Sequence, residues 1–186
     1  MRVLVPAVTL TAAALCATAV LAAATPESFT ATASVKRGTV TASAPVTVTV
    51  NQYATDAERE AAKKAVRDGG TKGLRTLLAG KPDVGFIQLG DRKTPVKIAI
   101  ERATSGGRLI TAITAEPILY LGAKIDPTKP VEGFDLAIAM FEVQTNGPGI
   151  GDLSPAAKIA LDDGGAVVVQ DYGATVVWLN GIARAK

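Results

Sequence analysis

No histidine occurs anywhere in these 186 residues, and the one cysteine, Cys16, lies in an apolar N-terminal run. Without imidazole or thiolate there is no Ser-His-Asp triad, no Cys-His pair, and none of the usual His- or Cys-ligated zinc or copper sites. A chain that sheds Cys16 also forgoes disulfides and thiol redox chemistry. Calcium chemistry fares no better. Asp162, Asp163 and Asp171 lack the D-x-[DN]-x-[DN]-G spacing, and "DDGG" reads as an ordinary turn. No cofactor and no metal is therefore expected. Aromatics are scarce too, with one Trp, three Tyr and four Phe. No basic cluster interleaves with them, which argues against a nucleic-acid partner. Phe29, Phe134, Phe141 and Trp178 fall where strands need core, so a sugar-stacking surface is disfavoured.

The first residues read as a secretory leader. Arg2 precedes an apolar run from Val3 to Ala24 that ends in the small residues of "LAAAT". Cleavage is expected after Ala24, with Ala23 as the alternative. The run is weakly hydrophobic and lacks a basic flank, which weighs against a retained membrane anchor. Leu15 stands where a lipoprotein site would need a small residue before Cys16. The expectation is a secreted or periplasmic, soluble protein with no membrane anchor after cleavage. Residues 1–24 are the signal peptide and residues 25–186 a single domain, long enough to bury its own core.

Charge is unevenly placed. Residues 55–108 hold 12 basic against 7 acidic side chains, and residues 109–186 hold 5 against 9. Such a dipole can steer an anionic partner, although solvated faces give the same counts.

Hydrophobic patterning is mostly of period two. "FTATASV" puts Phe29, Ala31, Ala33 and Val35 on one face, and "VTASAPVTVTV" repeats the pattern from Val40 to Val50. "KRGT" between them suits a turn, so the two segments form a hairpin. Pro45 cannot donate to a ladder and marks an edge or bulge. From Asp83 onward, further short apolar runs are separated by Gly, Pro and Asp clusters, for roughly nine strands in all. Phe134 to Val143 is apolar on both faces, as a strand covered on both sides must be. "KIALDDGGAVVVQ" reads as another hairpin.

The interruption is "TDAEREAAKKAVRDGGTKGLRTLLAG". Thr55 and Glu58 form a capping-box pattern. Ala57, Ala61 and Ala65, with Ala62 and Val66, make a stripe at helical spacing, and Glu60 can pair with Lys64. Gly69 and Gly70 should end a first helix; Leu74, Leu77 and Leu78 anchor a second that stops at Gly80. The fold class is α+β, mainly an antiparallel β-sandwich or barrel with a two-helix insertion at about residues 55–80. The helices are expected to cover apolar sheet surface.

Three constellations could carry chemistry. Glu116 and Glu142 could be the acid and base of a glycoside hydrolase if neighbouring strands bring them together. Ser154 and Lys158 could form a Ser-Lys dyad, though their spacing is not S-x-x-K and Ser154 before Pro155 suits a turn cap. The loop-bearing stretch "EPILYLGAKIDPTKPVEGFD" offers Glu116, Tyr120, Lys124 and Lys129 as binding candidates on a β scaffold.

The order "FTATASV…APVTV", "DAERE…GG", "PDVGFIQLG", "TAEPILYLGA" and "DYGATVVWLN" after a signal peptide resembles a group of uncharacterised exported bacterial proteins. The resemblance spans nearly all of the mature chain. It implies export and a single domain and supplies no functional residue. The leading expectation is a non-enzymatic binding or interaction protein of the cell envelope, with an envelope partner or a small ligand. The alternatives are a carboxylate-dependent hydrolase acting on envelope or extracellular polymers, and a carrier of a small apolar ligand.

Overall fold

Alternating Val and Thr do build the first hairpin. In the computed structural model, β1 (Glu27–Arg37) pairs antiparallel with β2 (Val40–Val50), in unbroken register from Glu27 opposite Val50 to Arg37 opposite Val40. The structure describes residues 26–37, 39–118, 132–163, 167–171 and 177–185. The leader with its Ala24 cleavage point lies outside these residues, as do Tyr120, Lys124 and Lys129.

After β2 comes the helix α1 (Asp56–Ala79), and seven more strands follow. These are β3 (Gly85–Leu89), β4 (Arg92–Ala103), β5 (Gly107–Thr114), β6 (Leu136–Gln144), β7 (Gly149–Leu161), β8 (Val167–Asp171) and β9 (Val177–Arg184). The sheet order is β6-β5-β4-β3-β2-β1-β9-β7-β8, and β6 also pairs with β7. That last pairing closes eight strands into an antiparallel barrel; no sandwich forms. Its physical reason is the length of β7, whose first part lies between β6 on one side and β9 on the other, leaving no edge there.

β8 stands outside the closed ring. It pairs with Ala157–Leu161 of β7, while β9 pairs with Gly149–Leu153. β8 and β9 therefore follow one another along the same side of β7, and the far end of the β7–β8 hairpin extends beyond the barrel.

The interior is filled by one face of each barrel strand. Phe29 and Phe141 meet across it edge to face, ring centroids 5.3 Å apart, amid Val48, Ile110, Leu153 and Leu179. A hollow beside Ala33, Val35 and Leu89 is about 10 Å³, room for at most a single water. Two of the strand prolines sit where a ladder stops. Pro45 is one residue past the end of the β2–β3 pairing, and Pro95 one residue before the β4–β5 pairing begins.

A second apolar cluster lies outside the barrel wall. Ala62, Val66, Leu74 and Leu78 of α1 pack over Ile98, Ile113, Leu136, Ile138 and Ile159. β6 thus has Ala137, Ala139 and Phe141 in the barrel core, and Leu136 and Ile138 beneath the helix. This is the doubly covered strand that its sequence demanded.

The insertion is one α-helix, not the two expected. Gly70 takes a non-helical conformation at φ 55°, and the helix kinks there so sharply that Lys81, just past its end, reaches Glu58 in its first turn at 2.6 Å. Gly73 makes the kink feasible, because a Cβ on it would lie 2.4 Å from the Ala65 carbonyl oxygen. The buried face is Ala62, Val66, Thr71, Leu74 and Leu78, while Ala57 and Ala61 face solvent. The capping box forms as expected: the Thr55 amide donates to Glu58 Oε2 at 3.0 Å, and the Glu58 amide to Thr55 Oγ1 at 3.3 Å. Glu60 pairs with Lys63 rather than Lys64, which bonds Asp68.

Candidate functional site

Between the first part of α1 and the outer barrel wall runs an apolar groove of about 300 Å³. Arg59, Ala62, Lys63, Val66 and Leu74 supply its helical side. Its floor is built by strand register. Ile100, Thr111 and Met140 lie opposite one another across β4, β5 and β6, and Ile113 and Ile138 form the next row. Ile159, Val167 and Val169 close it along the β7–β8 hairpin. Among the described residues Thr111 is the one polar floor residue, and the two charged lining groups, Arg59 and Lys63, are both cations on the helix. The volume is at the lower end of the range for small-molecule sites and twice that of an apolar cavity that takes benzene.

Threonine chemistry holds the groove's roof in place. β6 ends its pairing with β7 at Ala157, so the polar backbone of Ile159 would face an empty side. The Thr71 hydroxyl fills it, accepting from the Ile159 amide at 2.8 Å and donating to the Ile159 carbonyl at 3.2 Å. One residue after the Gly70 kink, α1 thereby acts as the next strand. Thr114 plays a related part at the β5–β6 end, where its hydroxyl accepts from the Ala137 amide at 2.8 Å.

A charged cluster closes the barrel at one end. Glu27 shares the inward face of β1 with Phe29, and Arg108 that of β5 with Ile110. Tyr53 donates its hydroxyl to Glu27 Oε2 at 2.6 Å, and Arg184 reaches Oε1 at 3.2 Å. Arg108 bonds both Glu27 oxygens and, at 3.0 Å, Glu101. Burial pushes the Glu27 carboxyl up, but the bonds from Arg108 and Tyr53 and the arginine charges outweigh it and leave it below its ordinary value. Burial and the Glu27 carboxylate raise the Tyr53 phenol, which stays protonated. With two carboxylates and two guanidiniums, the cluster is neutral and mutually satisfied. It is a plug rather than a reactive site.

The sequence-derived candidates fare unevenly. Glu116 is exposed, just past the end of β5, whereas Glu142 sits at the other end of that strand, opposite Leu109. Seven positions at about 3.3 Å each separate the two levels, on the order of 20 Å, too far for a glycosidase pair. Glu142 instead accepts from the Thr104 hydroxyl at 2.6 Å. Ser154 is buried within β7, not a turn cap, and Lys158 four positions along the strand is exposed, so no dyad forms. Among the described residues no group of three or more metal-ligating side chains converges. Trp178 is not core: it is 57% exposed on the outer barrel face, because Val177 and Leu179 take the inward positions of β9.

Sequence reasoning did not single out the groove or the plug. The plug had a signal, since Glu27 and Arg108 are in phase with inward apolar residues of their own strands. The groove had none, because its two walls are far apart in sequence. A scan against protein-family models finds no match, and searches of curated proteins and of solved structures find none either.

Proposed function

We propose that this protein is an exported, non-enzymatic binding protein of the cell envelope that holds a small apolar ligand in the groove beneath α1. The observation carrying this reading is the 300 Å³ apolar hollow itself, next to a barrel interior that is filled. A barrel carrier of the usual kind keeps its ligand inside; here the groove with room for a dozen or so carbon atoms is outside the wall. Export rests on the leader-like first 24 residues.

Titration with the neutral fluorophore N-phenyl-1-naphthylamine tests the reading. Saturable binding of one probe per chain is expected, weakened by Met140→Phe or Val169→Phe and lost in the double variant. Thermal melts identify any variant that fails to fold, and the single variants then carry the comparison. No binding to the wild type, or equal binding to folded filled variants, would sink the proposal.

A further inference from the structure

The charges that line the groove are of one sign, and this points to the class of ligand. Arg59 and Lys63 lie one turn apart in the first part of α1, and Val66 and Leu74 continue the helical side of the lining without a charge. Among the described residues every charge on the lining is positive and comes from the first part of α1, and the rest of the lining is apolar but for Thr111. A uniformly apolar ligand would leave that distribution without a use.

The partners that Arg59 and Lys63 now hold are weak competitors. Arg59 pairs with Asp56, whose side chain is 89% exposed, and Lys63 pairs with Glu60, 69% exposed, at 2.7 Å. Both are i,i+3 pairs on a solvated helix face, the kind worth little because water screens them. Asp56 and Glu60 do not line the groove, so an acidic group entering it meets cations and no carboxylate. Arg59 also donates Nη1 to the Ala54 carbonyl at 3.2 Å, which holds its guanidinium at the head of the helix.

Resting on the apolar-ligand reading above, we infer that the ligand is an amphiphile with an acidic head group, a carboxylate on an unbranched chain of about a dozen carbons. The tail fills the space over Ile113, Ile138 and Ile159, and the head group exchanges for Glu60 at Lys63 and for Asp56 at Arg59. Residues 55–108, which include α1, hold more basic than acidic side chains and favour the same sign of charge in the approaching molecule.

Displacement of N-phenyl-1-naphthylamine by three ligands of equal tail length, each below its micelle concentration or solubility limit, provides the test: dodecanoate, dodecanol and dodecyltrimethylammonium. Dodecanoate should displace the probe at roughly five- to tenfold lower concentration than dodecanol, and the cation should be weakest. Lys63→Gln should remove most of that preference and leave dodecanol unchanged, and Lys63→Arg should restore it. Arg59→Gln should add to the loss. Equal displacement by the acid and the alcohol, or preference for the cation, would overturn the head-group assignment and leave the apolar groove standing. Failure of all three to displace a bound probe overturns the amphiphile altogether. A wild-type protein that never binds the probe instead removes the underlying reading.

Discussion

Glu27 and Arg108, 81 positions apart, meet in a two-pronged ion pair in which Arg108 Nη2 donates to Oε1 at 3.0 Å and Nη1 to Oε2 at 3.2 Å. The Glu27 side chain is fully buried, so this pair ties the first strand of the barrel to the middle of the chain where water cannot compete. Removing one member strands the other. Glu27→Leu leaves Arg108 facing only Glu101, and Arg108→Leu leaves a buried carboxylate with Tyr53 and Arg184. Breaking such a pair costs about 3–5 kcal/mol, and a domain of this size melts roughly 2–4 °C lower per kcal/mol. Calorimetry on Arg108→Leu should show a fall of at least roughly 6 °C. A shift under a couple of degrees would mean that the cluster is incidental.

Acid should unfold the protein partly through the same carboxylate. The folded-state value of Glu27 lies below its unfolded value of about 4.3, so its contribution is fully present above that pH and is lost as pH falls through the folded value. Glu58 behaves alike: its hydrogen bond from Lys81, helped by the capping contacts with Thr55, holds it down to about 2. Melting temperature should be flat from pH 7 to 5 and then drop between pH 4 and 2. Glu27→Gln should start lower at neutral pH and fall less steeply. Parallel curves for wild type and variant would exclude Glu27 as a source of the acid sensitivity.

Thr71 should matter through its hydroxyl alone. Thr71→Val keeps the shape but orphans the Ile159 amide and carbonyl, at about 1–3 kcal/mol for each unsatisfied group. Thr71→Ser should recover most of the loss. Hydrogen exchange at the Ile159 amide gives the decisive reading: it should accelerate in Thr71→Val and not in Thr71→Ser. Unchanged protection would show that the helix is held by Leu74 and Leu78 without help from the strand edge.

Trp178 is the sole tryptophan, so its fluorescence reports one position. On the outer barrel face it should emit like a solvated indole and be readily quenched by acrylamide. Trp178→Ala should change stability by no more than about 1 kcal/mol, as surface substitutions do. A blue-shifted, poorly quenched emission would place this side chain in an interface.

Much of this architecture was legible in local pattern. Period-two alternation marks β1 and β2 because one face of each must be buried, and the capping box at Thr55 sets the start of α1 through contacts three residues apart. Doubly apolar β6 announces that something covers the barrel from outside. These are short-range statements, and chain connectivity suffices to enforce them. Closure of the barrel was not among them. It depends on β7 being long enough to take β6, β9 and β8 as partners at different levels, which alternation alone does not specify. Nor did pattern decide the angle of the kink: Gly70 reads as a break in sequence, but only the fold sets Gly73 against Ala65 and Thr71 against Ile159 across 88 positions. Trp178 shows the same limit, since a large aromatic in a strand says nothing of which face is inward until Val177 and Leu179 claim the core. The groove belongs wholly to this second class. Arg59 and Lys63 look like ordinary solvated helix charges, and acquire a role only because folding sets them beside an apolar trough made by five strands that the helix never adjoins in sequence.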